Sequence, residues 1–163
     1  MYVQCEVADV ALGGRRPSLQ TPVALDFGKR ATIDGLLLRQ IGVYMKPRTV
    51  VVVNITKGTI LASLAKLATT YGERRQGLLG RSSLEEGEGL IIRPCKGVHS
   101  FGMKFSIDVA YASKDGEILH IISPLHPNRF GPLMLRAAWI LELPQGILSK
   151  TETVPGDILA ICT

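Results

Sequence analysis

The sequence feature that most constrains the fold is a β-hairpin pattern in the second half of the chain. Apolar residues alternate with polar or small ones over residues 107–112, and a second apolar run covers residues 118–122. The alternation is typical of a strand with one buried face. Asp115 and Gly116 stand between the two runs. Asp-Gly is favoured in tight hairpin turns because glycine adopts a positive φ without steric cost, so the pattern predicts two antiparallel strands.

Further strand patterns and one helix follow from residue 45 onwards. The β-branched run of residues 50–53 predicts a strand over residues 50–55, and residues 60–68 form an apolar run that suits a strand but, with its Ala, Leu and Lys, also a helix. Thr70 and Glu73 have the spacing of a capping box, and Gly80 supplies a left-handed stop, which predicts a short helix over residues 71–79. Strands are also predicted over residues 90–92, 137–143 and 158–162.

These elements together predict an α+β fold that is predominantly β. We expect a small compact domain, an antiparallel-rich sheet or barrel-like arrangement, with one short helix. The chain has 163 residues, of which 46% are hydrophobic, enough for one core. Residues 1–44 show no sustained period, so we expect an irregular or weakly ordered N-terminal arm before a single β-rich domain over residues 45–163. The character of the sequence changes at Met45, which is therefore an alternative translation start.

The charge of the chain is mildly basic and excludes little by itself. Lys and Arg number 19 and Asp and Glu number 14, which gives a formal net charge of +5. No aromatic ladder interleaves the basic residues, so we expect no nucleic-acid partner. Gly87 and Gly89 lack the third glycine of a dinucleotide fingerprint, and the chain has no Gly-Lys-Ser/Thr phosphate loop. Nucleotide hydrolysis is therefore not expected.

The cysteine count and the hydropathy bear on location. The three cysteines are an odd number in a chain of this length, which favours reduced thiols over a disulfide scaffold. The most apolar stretch, residues 50–68, is broken by Asn54, Lys57 and Lys66, and the first ten residues contain Glu6 and Asp9 where a secretory signal would be basic and then apolar. We therefore expect a cytoplasmic protein with no membrane partner.

Five separated blocks of the sequence, in order, resemble a known prokaryotic family. They include residues 74–81 (RRQGLLGR), 94–108 (PCKGVHSFGMKFSID) and 141–146 (LELPQG), together with Gly89-Leu90-Ile91 and Gly156-Asp157. This set, with the Asp-Gly hairpin, is similar to domain-of-unknown-function family 192, the uncharacterised ACR proteins, over about residues 50–159. The resemblance implies a compact β-rich domain with a short helix and implies no established reaction or cofactor.

The densest set of reactive groups is Cys95, His99 and Met103, which are spaced four residues apart. A thiolate, an imidazole and a thioether are soft or borderline donors that suit Cu(I) or, without the Met, zinc. Cys95 and His99 also have the residue types of a thiol nucleophile and its base. The chain offers no orienting residue and no oxyanion-hole signature, so no catalytic residue is assigned. All three side chains also suit the interior of a protein, as an apolar thiol, a gap-filling thioether and a hydrogen-bonded imidazole.

A second hypothesis is a binding site for an anion. Arg81 follows the stop of the predicted helix, and its guanidinium could fork onto a ligand carboxylate or pair within the fold. If Arg81, His99 and Lys104 converge on a recess, an anionic small molecule or a partner segment is the natural ligand. Asp108 is expected to be solvated or paired at this site. We therefore predict a non-catalytic binding or accessory domain whose ligand-binding residues are Arg81, His99, Met103, Lys104 and Asp108, with a soft-metal or thiol site at Cys95, His99 and Met103 as the alternative.

Overall fold

The computed structural model describes the backbone of Cys5–Glu6 and residues 49–163. The rest of the predicted N-terminal arm, and Met45 with it, lies outside these described residues. Strand β1 is the short pair Cys5–Glu6. The other elements, in chain order, are β2 (Thr49–Asn54), β3 (Thr59–Ala68), α1 (Tyr71–Gln76), β4 (Glu88–Ile92), β5 (Ile107–Ala112), β6 (Ile118–Leu125), β7 (Trp139–Pro144), α2 (Ile147–Lys150) and β8 (Leu159–Cys162). In this described part, no helix has the length and apolarity needed to cross a bilayer.

All the strands belong to one curled mixed sheet that forms a half-barrel. The order across the sheet is β1-β8-β2-β3-β4-β7-β5-β6, and every neighbouring pair is antiparallel except β3 and β4. The parallel pair needs a long crossover connection, and α1 lies within it. The predicted β-rich fold is confirmed, and so is the hairpin at Asp115-Gly116, where Gly116 has φ +88°. Residues 60–68 are a strand because β3 bonds to β2 on one side and β4 on the other.

The predicted capping box at the start of α1 is confirmed. Thr70 accepts a hydrogen bond from the Glu73 N–H, and the Glu73 carboxylate accepts one from the Thr70 N–H. The helix ends sooner than predicted, because Gly77 already takes a positive φ of 48° and donates its N–H to the Glu73 carbonyl. This early stop lets residues 77–81 turn back towards the sheet.

The core is divided into two apolar clusters. One contains Trp139, Leu141 and Leu143, and the other contains Tyr111 and Ile140. Successive residues of β7 thus belong to different clusters, because successive side chains of a strand point to opposite faces. Strand β5, predicted to be half-buried, is buried at all six positions. The prediction was wrong because β5 lies between β6 and β7 and is covered on both faces.

The cysteines do not all behave as predicted. Cys162 on β8 is disulfide-bonded, and its register partner on β1 is Cys5. The expectation of reduced thiols is therefore wrong for Cys162. Cys95 is a free cysteine in an intermediate state of burial.

Candidate functional site

A cavity of about 130 Å³ lies between α1 with its following turn and the segment that leads from β4 towards β5. Its polar and reactive lining residues are Arg74, Arg75, Gln76, Cys95, His99, Met103 and Glu142. Helix α1 supplies the two arginines, and β7 supplies Glu142. The cavity therefore joins three parts of the chain that are distant in sequence.

Glu142 is the unusual residue of this cavity. It sits in the middle of β7, directly opposite Leu90 on β4 and Val109 on β5. Directly opposed residues in a sheet point to the same face, so the carboxyl group is flanked by two apolar side chains. Glu142 is 3% exposed, and its Oε2 atom has no hydrogen-bond partner among the described residues. Burial raises the pKa of Glu142 to about 8, so the carboxyl group carries its proton at neutral pH.

The Cys95 thiol lies beside this carboxyl group and is held in its protonated form. Its Sγ atom donates a hydrogen bond to the Gly97 carbonyl at 3.0 Å. Burial raises the pKa of Cys95, and the negative charge that Glu142 can carry raises it further. Tyr111, also close to Cys95 and Glu142, has its pKa raised to about 12, mainly by burial. This corner of the protein thus collects three acidic groups that all favour their neutral forms.

The positive charge at the cavity comes from α1. The Arg74 guanidinium is half-buried, donates from Nη1 to the Thr69 carbonyl, and is near enough to Cys95 to lower the pKa of the thiol slightly. Arg75 is exposed at the cavity edge. Neither arginine forms a salt bridge with any residue in 49–163. Their N–H donors therefore face a cavity in which the described acidic group, Glu142, is neutral.

His99 and Met103 also line the cavity. The backbone of His99 bridges to Phe130, and Ser100 fixes the same loop by donating its hydroxyl to the His126 carbonyl and accepting the Arg129 N–H. Met103 is buried, whereas His99 is exposed. The loop that carries these residues is thus anchored to the chain after β6 rather than free to move independently.

The structure brings together only some of the residues predicted for the site. Cys95, His99 and Met103 all line the cavity, whereas Arg81 and Lys104 do not. Arg81 pairs within the fold, where it donates to the Glu88 carboxylate at 2.6 Å, a partner that the sequence analysis had not named. Asp108 is fully buried away from the cavity lining, where its carboxylate accepts hydrogen bonds from the backbone N–H groups of Gly146 and Leu148 and from the Ser123 hydroxyl.

Sequence reasoning did not assign Glu142, Arg74 and Arg75 to the site, although a signal for Glu142 was present. The segment Trp-Ile-Leu-Glu-Leu is apolar at every position except that of Glu142, and a near-continuous apolar run is typical of a strand covered on both faces. A carboxyl group within such a run has to be buried whichever way it points. No comparable signal identified the arginines, because the packing of α1 against the segment after β4 is not visible in the local sequence.

The three side chains that the alternative hypothesis names as metal ligands all line this cavity. Cys95, His99 and Met103 share the cavity, but within residues 49–163 no three His, Cys, Asp or Glu side chains form a group suited to hold a metal ion. The Cys95 thiol would have to lose a proton to ligate a metal, and its raised pKa opposes that loss.

Comparison with known proteins bears on the fold and the family. The chain resembles a protein of unknown function from Novosphingobium aromaticivorans DSM 12444 at 23% identity, with a TM-score of 0.60 over 68% of this chain and 82% of that one. It also resembles a proposed transcription regulator from Sinorhizobium meliloti 1021 at 22% identity, with a TM-score of 0.57 over 68% of this chain and 89% of that one. At these identities the likeness shows the fold alone.

No curated protein matches the chain. The sequence model of domain-of-unknown-function family 192, described as Uncharacterized ACR, matches residues 52–161, which include every residue that lines the cavity. The chain therefore belongs to domain-of-unknown-function family 192.

Proposed function

We propose that the protein is a non-catalytic binding domain and that its cavity holds a small anionic ligand. The observation that carries this proposal is the Oε2 atom of Glu142, which is buried against the cavity and has no hydrogen-bond partner in the described part of the chain. Leaving a buried polar group unpaired costs about 1–3 kcal/mol. A bound molecule that reaches this group would supply the missing partner.

The charge around the cavity determines the sign of the ligand. Arg74 and Arg75 face it, and the carboxyl group of Glu142 is neutral near pH 7. A cation would meet two guanidinium groups with no carboxylate to offset them. An anion would gain charge-assisted hydrogen bonds from the same groups. This arginine pair takes the role that the sequence analysis assigned to Arg81.

A thermal-shift screen of organic acids and inorganic phosphate tests the proposal with a matched pair of arginine variants. Ligands that stabilise the native protein should raise Tm in wild type and in Arg81→Gln, whose guanidinium is paired to Glu88 outside the cavity. Arg74→Gln should show a much smaller rise. Equal shifts in all three proteins would place the anion elsewhere and contradict the proposal.

The alternative function is a soft-metal site or thiol enzyme centred on Cys95 and His99. The convergence of Cys95, His99 and Met103 on one cavity favours it, and the raised pKa of the thiol weighs against it. Metal analysis of protein purified without chelators, as wild type and as Cys95→Ser, separates the two functions. Stoichiometric copper or zinc that is lost in Cys95→Ser would establish the alternative. Anion binding that is unchanged in Cys95→Ser would support the non-catalytic domain.

We extend the proposal to the working unit and its location. Residues 45–163 act as one β-rich domain, without a nucleic-acid partner. The disulfide at Cys162 weighs against the cytoplasmic location predicted from the sequence, because reducing compartments keep thiols reduced. Counting free thiols in protein extracted anaerobically from its native cells tests this point. A reduced Cys162 in that extract would restore the cytoplasmic prediction, and a persistent disulfide would reject it.

A further inference from the structure

The chemistry inside the cavity defines the ligand more narrowly than its charge does. A protonated carboxyl group is a hydrogen-bond donor as well as an acceptor. Glu142 is flanked by Leu90 and Val109 and is 3% exposed. Glu142, which lines the cavity, therefore has an unpaired Oε2 atom that can act as a donor or an acceptor.

The guanidinium of Arg74 offers the complementary group. It is half-buried at the same cavity and uses Nη1 for the Thr69 carbonyl. Arginine has five N–H donors in a planar fork that matches a carboxylate, so one bond to the backbone leaves donors for a ligand. A ligand carboxylate can thus accept one hydrogen bond from Glu142 and another from Arg74.

The remaining walls of the cavity are apolar. Leu78, Leu79, Ile92 and Val98 line it together with Met103. A cavity of about 150 Å³ is known to accommodate a molecule the size of benzene, and this one measures about 130 Å³. The space therefore suits a short hydrocarbon chain attached to the charged group, and it is too small for a nucleotide or a sugar phosphate.

From these observations we propose that the cavity binds a short-chain aliphatic monocarboxylate, whose oxygens accept hydrogen bonds from the Glu142 carboxylic acid and the Arg74 guanidinium. The inference rests on the proposed function and specifies its ligand class. No covalent step is involved, since the proton of Glu142 is shared with the ligand and not transferred to product.

The proposal has a consequence for the pH dependence of binding. Once Glu142 loses its proton, it becomes an anion that repels the ligand and no longer donates a hydrogen bond. The other titratable or charged groups that line this space are Arg74, Arg75, Cys95 and His99, and Tyr111 lies near Cys95 and Glu142. Burial raises the pKa of Cys95 and of Tyr111, so both stay neutral where Glu142 titrates, and arginine side chains keep their charge in this range. The His99→Gln variant controls for the imidazole at the cavity.

Isothermal titration calorimetry with butyrate tests the proposal. Butyramide is a control that has the shape of butyrate without its charge, and sulfate is a control that is negatively charged but has no hydrocarbon chain. Butyrate should bind wild type at pH 6.5 with an affinity at least about tenfold above that of either control. Arg74→Gln and Glu142→Leu should each weaken butyrate at least about tenfold, and Arg81→Gln should leave it unchanged. Circular dichroism of each variant confirms that it is folded.

The pH profile gives a second readout that a purely structural role of Glu142 would not produce. The butyrate affinity of wild type and of His99→Gln should fall as pH rises from 6.5 to 9, whereas that of Glu142→Gln, which keeps an N–H donor and cannot ionise, should stay nearly constant. Binding of sulfate as tight as that of butyrate, unaffected by Glu142→Leu, would overturn this inference and leave the proposed function standing. Absence of binding by butyrate, sulfate and phosphate alike would overturn both.

Discussion

Glu142 on β7 lies directly opposite Leu90 on β4, so that a carboxyl group shares one face of the sheet with an apolar side chain. Glu142 forms no salt bridge with any basic residue of the described chain. The carboxyl group is therefore kept neutral by its surroundings. The stability of the protein should therefore depend on the protonation of Glu142, and so should the ligand binding that we propose.

We predict that Glu142 lowers the stability of the protein as pH rises through neutrality. Its pKa is 4.5 in the unfolded chain and about 8 in the native protein. Between these values the unfolded chain has released a proton that the native protein still binds, so the free energy of unfolding falls with increasing pH. Glu142→Gln removes this linkage. Urea denaturation should show that the free energy of unfolding of the variant, relative to that of wild type, is about 2 kcal/mol higher at pH 7 than at pH 5.

If the free energies of unfolding of wild type and Glu142→Gln differ by the same amount at pH 5 and at pH 7, Glu142 titrates normally and the prediction is wrong. The comparison with Glu142→Gln is needed because other carboxyl groups also titrate. Asp157, for example, is penalised by burial, but hydrogen bonds from the Asn54 side chain and the Val154 N–H leave its pKa lowered overall. Its contribution to stability has the opposite sign, since it is present above the unfolded pKa and lost as pH falls.

Asp108 should prove to be a structural residue and not a ligand-binding one. Its carboxylate on β5 accepts the N–H groups of Gly146 and Leu148, each at 2.9 Å, and so caps the start of α2. Asp108→Ala leaves these buried donors unpaired and should lower the free energy of unfolding by about 3 kcal/mol. Ser123→Ala, which removes only the third hydrogen bond, should cost about 1 kcal/mol. Urea denaturation measures both, and a loss in Asp108→Ala no larger than in Ser123→Ala would contradict the capping role.

Gly131 should tolerate no side chain, because it packs against the Tyr111 hydroxyl. A Cβ at this position would overlap that oxygen and would lie 2.8 Å from Cγ1 of Val98. Gly131→Ala should therefore destabilise the protein by about 2 kcal/mol. Tyr111→Phe removes the oxygen that the new Cβ would overlap. Gly131→Ala should therefore destabilise the Tyr111→Phe protein less than it destabilises wild type. A double-mutant cycle from thermal unfolding measures the coupling, and strict additivity would show that the two residues do not interact.

The Cys95 thiol should react slowly in the native protein. Burial raises its pKa above the ordinary value of 9.0, and the thiolate is the reactive form. At pH 8, alkylation of Cys95 by iodoacetamide, followed by mass spectrometry, should be at least about tenfold slower in the native protein than in urea. Cys95→Ser provides the background. Native alkylation as fast as that of the unfolded chain would indicate an activated thiol and would favour the thiol-enzyme alternative.

Local patterns in the sequence were sufficient to predict most of the secondary structure. The Asp-Gly turn, the β-branched run before Gly58 and the capping box of Thr70 and Glu73 each depend on a few neighbouring residues, and all are found where the sequence placed them. The family was also predicted from short blocks, each of which is a continuous stretch of sequence, and the match over residues 52–161 confirms it.

The features that sequence reasoning missed depend on contacts between distant residues. Helix α2 has only four residues and no side-chain cap of its own, and its cap comes from Asp108, which is 40 residues from Leu148. The burial of β5 on both faces depends on which strands become its neighbours. The choice of Arg74 over Arg81 depends on the early stop at Gly77 and on the competing carboxylate of Glu88, neither of which spacing alone reveals.

The protonation state of Glu142 can be measured on the carboxyl group itself. Carbon-13 NMR of protein labelled at glutamate side-chain carboxyls, assigned by comparison with Glu142→Gln, follows its chemical shift as a function of pH. A midpoint near 8 would show the neutral donor that the proposed carboxylate site requires, and saturation with butyrate should move it still higher. A midpoint near the ordinary value of 4.5, unchanged by butyrate, would contradict the proposed site.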